Sequence, residues 1–122
     1  MCGIGGIINT NNSKIDPNII ENIKDSLEHR GPDNSSIKYI SESNCFVHTR
    51  LSIIDLNDRS NQPFQSSDGR YTLVFNGEIY NYKEIRKDLE SIGISFNTEG
   101  DTEVLLKGFI ELGEGILEKL RG

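Results

Sequence analysis

In the first part of the chain, the pattern of hydrophobic positions predicts a strand followed by a helix. Residues 3–9, GIGGIIN, predict a buried strand whose glycines let another group approach the backbone closely. Residues 16–30 predict a helix, because Asp16 can cap it and Pro17 suits its first position. The apolar stripe of this helix consists of Ile19, Ile20, Ile23 and Leu27.

Extended segments separated by loops follow this helix. A loop is predicted at residues 30–35, RGPDNS, because glycine and proline both break helices. Residues 36–40 and 45–54 alternate in polarity or are continuously apolar, which is typical of strands. Residues 55–69 are polar, rich in turn formers and too long for a hairpin loop, so they form a candidate functional loop.

The second half of the chain alternates again between strand and helix patterns. Residues 71–82 predict a strand, a turn and a continuing strand, and residues 94–96 predict a short strand. Helices are predicted at 82–93 and 101–113, and a further helix or turn at 115–122. Because strands outnumber what a helical bundle would contain, we predict an α+β fold with a mostly antiparallel sheet.

Length and charge exclude several classes of protein. The 122 residues form one domain or part of one, and a net charge of −6 argues against a nucleic-acid partner. No apolar run approaches the roughly 18 residues of a membrane span, and the apolar residues 4–8 are too few for a signal peptide. We therefore expect a cytoplasmic protein with no membrane contact.

The few cysteines and histidines limit the chemistry further. Cys2 and Cys45 cannot form a disulfide framework, and Cys45, inside a predicted strand, is most simply a buried core residue. His29 and His48 have no second ligand at metal-site spacing, so we predict no metal.

Cys2 directly follows Met1, which makes it a candidate nucleophile. If Met1 is removed, one residue carries both a thiol and a free α-amine. The thiol has a pKa of about 8.5 and the amine one of about 7.7–8.0, so the amine can take the thiol proton. The alternative is that Cys2 is a small apolar residue at the start of a strand.

Asn76 and Gly77 allow two interpretations. Between two apolar runs, Asn-Gly is the strongest short signal for a hairpin with a type I′ turn, and the local pattern favours this interpretation. Alternatively, the Asn76 side-chain amide and the Gly77 backbone N–H are a pair of donors for an oxyanion.

Charged residues near the predicted strands also allow more than one interpretation of their role. Arg50, inside an apolar run, needs either a protein carboxylate such as Asp55 or Asp58, or the carboxylate of a ligand. Asp101 is either a helix cap or a ligand group, and Glu78 alone is typical of a solvated strand charge. A nucleophile, oxyanion donors, an arginine and two acids together suit an amino acid with a side-chain acyl group.

Six motifs in this order resemble the glutaminase domain of glutamine-hydrolysing asparagine synthetases. The resemblance covers nearly the whole chain, and the second and third motifs separate it from other enzymes with an N-terminal Cys-Gly-Ile. The motifs are MCGI at 1–4, EHRGPD at 28–33, HTRLSIIDL at 48–56, QPF at 62–64, FNGEIYNY at 75–82 and GDTEVLL at 100–106.

The resemblance implies a fold and a set of roles. The fold is the N-terminal-nucleophile hydrolase four-layer sandwich, two antiparallel sheets between helical layers, of which residues 1–122 would be a partial glutaminase domain with an unpaired sheet edge. Cys2 would be the nucleophile that forms a γ-glutamyl thioester and releases ammonia. Further roles would fall to Asn76 and Gly77 as the oxyanion hole, Arg50 for the α-carboxylate, Glu78 and Asp101 for the α-ammonium, and the Ile53 and Ile54 backbone as pocket lining.

The resemblance also implies partners for the full-length protein. Glutamine would be the substrate of this domain, which would need no cofactor. ATP and magnesium would bind an ATP-dependent synthetase domain that lies outside residues 1–122. There the ammonia would amidate aspartate or another carboxylate, such as that of a sugar or a secondary metabolite, and the full-length protein could form a homodimer. The alternative is a glutamine-binding or regulatory module without turnover.

Overall fold

The computed structural model describes residues 2–52 and 57–122 of the chain. They divide into two compact units. The first unit comprises residues 2–52, 61–63 and 74–76. The second unit comprises residues 57–60, 64–73 and 77–122.

Helices and strands alternate along the chain. The first unit contains β1 (Gly3–Ile8), α1 (Pro17–Leu27), β2 (Asn34–Ser41) and β3 (Asn44–Arg50). The second contains β4 (Phe64–Gln65), β5 (Thr72–Leu73), α2 (Tyr82–Ser91) and α3 (Asp101–Leu112). Short 3₁₀ helices cover Glu28–Arg30, Asp58–Ser60 and Gly113–Lys119.

The first unit is built around its central strand. Its three-stranded sheet has the order β1-β3-β2, and both pairs are antiparallel. Alternate side chains of β3, among them Cys45 and Val47, pack with Ile15 and Ile20 into the core beside α1. The prediction that Cys45 is a buried core residue is therefore confirmed.

Helix α1 begins as its sequence predicts. Asp16 is the N-cap, its carboxylate accepts the Asn18 backbone N–H at 2.9 Å, and Pro17 is the first helical residue. The cap satisfies a donor that the first helical turn leaves without a partner. The α-helix ends at Leu27, and residues 28–30 continue as a 3₁₀ turn.

The second unit pairs two helices with a small antiparallel hairpin. The loop between α2 and α3 is closed by Glu103, which is 1% exposed. Its carboxylate accepts the Thr98 N–H and hydroxyl, both at 2.7 Å, and pairs with Lys107 at 2.8 Å. Burial alone would raise the pKa of Glu103, but the hydrogen bonds from Lys107 and Thr98 hold it below its ordinary value.

Two strand predictions and one loop prediction are wrong in their extent. The strand predicted at 45–54 ends at Arg50, and of its remaining residues 53 and 54 lie outside the described ranges. Among residues 2–52 and 57–122, the strand predicted at 71–82 is paired only at Thr72–Leu73, and the loop predicted at 55–69 contains β4. Both short strands form because β4 and β5 pair with each other.

The short strand predicted at 94–96 is also wrong. The Ile94 N–H donates to the Leu89 carbonyl at the end of α2, and the Lys107 ammonium donates to the Ser95 carbonyl. Because helix-end and side-chain groups satisfy this backbone, the segment forms no sheet ladder.

The coarse fold class is confirmed. The described residues form an α+β structure with two small antiparallel sheets, while the four-layer sandwich stays a prediction. Within residues 2–52 and 57–122, no helix is long and apolar enough to cross a membrane.

We predict that Gly31→Ala destabilises the first unit. A Cβ at Gly31 would lie 2.3 Å from the Thr49 carbonyl carbon and 2.4 Å from the Arg50 nitrogen, so backbone must move. Such overpacking costs about 1–3 kcal/mol of unfolding free energy. Urea unfolding measures the change, with Gly115→Ala as control because nothing lies within 4 Å of its Cβ. Equal midpoints for the two variants would contradict the predicted close contact.

Candidate active site

The predicted site residues fall in both units. Cys2, Arg50 and Asn76 belong to the first unit, and Gly77, Glu78 and Asp101 belong to the second. The predicted roles of Ile53 and Ile54 lie outside the described residues.

Cys2 lies against the backbone of Leu51. It directly precedes β1 and is partly buried. The Leu51 N–H donates to the Cys2 Sγ at 3.4 Å, and the same sulfur lies 3.7 Å from the Leu51 carbonyl oxygen. Leu51 directly follows Arg50, so the structure brings the candidate nucleophile next to the arginine's own backbone.

Arg50 is the last residue of β3, and only 6% of it is exposed. Its Nη1 donates to the Asn61 Oδ1 at 2.7 Å. This contact restricts the direction of the guanidinium. Sequence analysis missed Asn61, because an asparagine in a polar loop gives no signal that distinguishes it from its neighbours.

The EHRGPD loop supports the end of β3. The Asp33 N–H donates to the Arg50 carbonyl at 3.0 Å, and the Asp33 carboxylate accepts the Ser52 N–H at 2.7 Å. Gly31 packs directly on the Thr49–Arg50 backbone, where any side chain would clash. This loop therefore holds the residues on both sides of Leu51, the residue that Cys2 contacts.

The buried side chain of Gln62 holds the backbone of Phe75, the residue before Asn76. The Phe75 N–H donates to the Gln62 Oε1 at 2.6 Å, and Gln62 is 6% exposed. Asn76 itself is half-buried. Sequence analysis identified residues 62–64 only as part of a family motif and assigned Gln62 no role.

The hairpin interpretation of Asn76-Gly77 is wrong. A type I′ turn needs positive φ at both central residues, and neither Asn76 nor Gly77 has one. No strand follows at residues 78–81 either. The reason is that β5 pairs with β4, which precedes it in the chain, rather than with a segment after the turn.

In the second unit Asp101 holds the residue that follows Glu78. Asp101 is buried, and its Oδ2 accepts the Ile79 N–H at 3.0 Å. The N-cap of α3 is Gly100, so Asp101 does not cap its own helix. Because Ile79 is bonded to Glu78, this contact joins the segment of the exposed Glu78 to the buried Asp101.

The last residues of the chain hold the other side of this segment. The Tyr80 N–H donates to the Arg121 carbonyl at 2.7 Å, and the Asn81 side chain exchanges hydrogen bonds with the Lys119 carbonyl and the Arg121 N–H. Hydrogen bonds to α3 and to the C-terminal segment therefore hold residues 79–81 in place.

His48 is a buried polar residue that sequence analysis considered only as a metal ligand. It lies on β3 between Phe46 and Arg50 on the same face and is 0% exposed. Within the described part of the chain, neither ring nitrogen has a hydrogen-bond partner of good geometry. Burial lowers the pKa of His48; the nearby Phe75 backbone offsets part of this effect, and the Arg50 charge adds to it.

The described residues contain no cluster of three or more histidine, cysteine, aspartate or glutamate side chains that could hold a metal ion. Their polar groups instead form two sets. The first unit has a thiol, a buried guanidinium and an amide, and the second has two carboxylates on neighbouring segments.

Comparison with known families gives one match over the whole chain. Residues 1–122 match the family described as the glutamine amidotransferase domain.

Curated relatives carry consistent names. Asparagine synthetase [glutamine-hydrolyzing] 1 of Bacillus subtilis is 40% identical over the full chain, which spans 20% of that protein. A putative asparagine synthetase of Mycobacterium tuberculosis is 43% identical over 79% of the chain and 16% of its own length. A probable asparagine synthetase of Dictyostelium discoideum is 35% identical over the full chain and 22% of its own length. The chain therefore spans about a fifth of these relatives.

We predict that His48 makes the stability of the protein depend on pH. Because its pKa in the folded state lies below the ordinary 6.5, the unfolded chain binds its proton more readily. This contribution to stability is present above pH 6.5 and is lost as the pH falls through 6.5 towards the folded pKa. Urea unfolding between pH 7.5 and 5.5 measures it.

The matched variants are His48→Leu and His29→Gln. His48→Leu should flatten the fall in stability, whereas His29→Gln should retain it because His29 is exposed. An unchanged pH dependence in His48→Leu would contradict the assignment.

Proposed function

Because the chain belongs to the glutamine amidotransferase domain family, we propose that it is the glutaminase part of an asparagine synthetase-like enzyme. The observation that carries the proposal is the contact between the Cys2 Sγ and Leu51, directly after the buried Arg50. A nucleophile beside a carboxylate-binding cation is what hydrolysis of a free amino acid side chain requires.

In the proposed reaction Cys2 acts as an N-terminal nucleophile once Met1 is removed. Its α-amine takes the thiol proton, and the sulfur attacks the side-chain carboxamide carbon of glutamine. The carbon–nitrogen bond breaks, ammonia leaves with the proton from the amine, and a γ-glutamyl thioester remains. Water then hydrolyses the thioester, which yields glutamate and restores the thiol.

Other residues bind glutamine and stabilise the transition state. Arg50 binds the α-carboxylate through its planar fork of N–H donors. Asn76 and Gly77 donate to the oxyanion of the tetrahedral intermediate, where one donor is typically worth about 2.7–4 kcal/mol of barrier.

The two acids bind the α-ammonium of glutamine. Asp101 already uses one oxygen on the Ile79 N–H, and its second oxygen can accept from the substrate. The exposed Glu78 supplies the second carboxylate. The backbone of Ile53 and Ile54 is proposed to complete the pocket.

The released ammonia is proposed to serve a synthetase domain in the full-length protein. The relatives are named asparagine synthetases, which supports aspartate as the acceptor. ATP and magnesium would act in that domain, and a homodimer is compatible with the proposal. An amidotransferase that acts on another carboxylate would need the same glutaminase part.

We predict that a diazo-ketone glutamine analogue labels Cys2 and no other residue. Intact mass should show loss of Met1 and one adduct in wild-type protein and in Cys45→Ala, because Cys45 is buried. Cys2→Ala should show neither an adduct nor release of glutamate. An adduct on Cys2→Ala would contradict the assigned nucleophile. Retained Met1 with no adduct would instead indicate a glutamine-binding module without turnover.

We predict that Arg50 controls glutamine affinity. Cys2→Ala should bind glutamine within a few fold of wild type, since it leaves Arg50, Glu78 and Asp101 intact. Adding Arg50→Met removes a charge-assisted hydrogen bond of about 1.5–3 kcal/mol, which is roughly a tenfold to hundredfold rise in Kd. Calorimetric titration measures both values, and an unchanged Kd in the double variant would exclude Arg50 from the binding site.

A further inference from the structure

One dipeptide, Asn61-Gln62, touches two of the proposed active-site elements of the first unit. The Asn61 Oδ1 accepts from Arg50 at 2.7 Å, and the Gln62 Oε1 accepts the Phe75 N–H at 2.6 Å. Phe75 is bonded to Asn76, the proposed oxyanion donor. The two adjacent side chains thus contact the carboxylate-binding arginine and the peptide before the oxyanion donor.

We propose that Asn61 and Gln62 are positioning residues for glutamine hydrolysis. Asn61 orients the Arg50 guanidinium for the substrate carboxylate, and Gln62 sets the direction of Asn76 through the Phe75 peptide. The inference rests on the proposed function and assigns each residue a separate kinetic role.

The Asn61 contact fixes the plane of a flexible side chain. A guanidinium carries five N–H donors in a rigid planar fork, so holding one nitrogen restricts the direction of the others. Loss of this contact should therefore weaken glutamine binding more than it slows the chemical step.

The Gln62 contact replaces a sheet hydrogen bond. Strand β5 ends at Leu73, so within the described part of the chain Phe75 lies outside any sheet ladder. The buried Gln62 carbonyl accepts the Phe75 N–H instead, and a glutamine is rarely this buried without such a role. A rotation of the Phe75 peptide would redirect the donor that follows it, and catalytic donors tolerate displacements of only about 0.5 Å.

The test compares steady-state glutaminase kinetics of matched variants. Gln62→Met keeps the length of the side chain but removes the acceptor, whereas Gln62→Glu keeps an acceptor oxygen. Gln65→Met repeats the glutamine-to-methionine change at an exposed position. Asn61→Leu removes the acceptor that contacts Arg50. Rates are expressed per active site titrated with the diazo-ketone analogue, so unfolded molecules do not enter the comparison.

We expect the two positions to affect different kinetic constants. Gln62→Met should lower kcat about tenfold to hundredfold with KM within about threefold of wild type, since small misplacements of catalytic groups have effects of this size. Gln62→Glu should recover most of kcat, and Gln65→Met should match wild type. Asn61→Leu should raise KM about tenfold with kcat within about threefold of wild type.

Two outcomes would overturn the inference while leaving the proposed function intact. One is an active wild type whose Gln62→Met and Asn61→Leu variants match it per titrated site. The other is a raised KM with unchanged kcat in Gln62→Met, which would show that the Gln62 contact does not set the direction of the oxyanion donor. By contrast, a wild type that neither labels at Cys2 nor releases glutamate would reject the proposed function itself.

Discussion

A buried arginine at the end of the central strand is the constraint on which the first unit depends. Arg50 is 6% exposed, and taking its charge out of water is costly unless polar groups surround it. Asn61 supplies one of them, because its Oδ1 accepts from the guanidinium. A guanidinium that has one nitrogen held by an amide oxygen is restricted in the direction of its other donors.

Side-chain acceptors hold backbone N–H groups at three points outside the strands. In the first unit, Asp33 accepts the Ser52 N–H and Gln62 accepts the Phe75 N–H. In the second unit, Asp101 accepts the Ile79 N–H. Each of these peptides is bonded to or lies next to a proposed functional residue. Side chains at these points hold the chain where it leaves regular structure, which is where donors and acids must face a substrate.

The family motifs combine residues with different physical roles. In EHRGPD, Gly31 is needed because the loop packs on the β3 backbone, and Asp33 holds the residues around Leu51. In GDTEVLL, Asp101 holds the residue that follows Glu78, whereas Glu103 closes the loop before its own helix. The motifs therefore identify the family, but they do not by themselves separate residues that would contact a substrate from residues that support them.

The sequence by itself determined the features that depend on neighbouring residues: the start of α1 at its Asp16 cap, the amphipathic helices, the α+β class and the candidate nucleophile at Cys2. Only the tertiary structure decided where β3 ends, that Asn76-Gly77 forms no hairpin turn, and that Asn61 contacts Arg50 while Gln62 accepts the Phe75 N–H. The physical reason is distance along the chain. The Asp16 cap spans two residues, whereas the Gln62–Phe75 bond spans 13 and the Asp101–Ile79 bond spans 22, so folding must first bring those partners together.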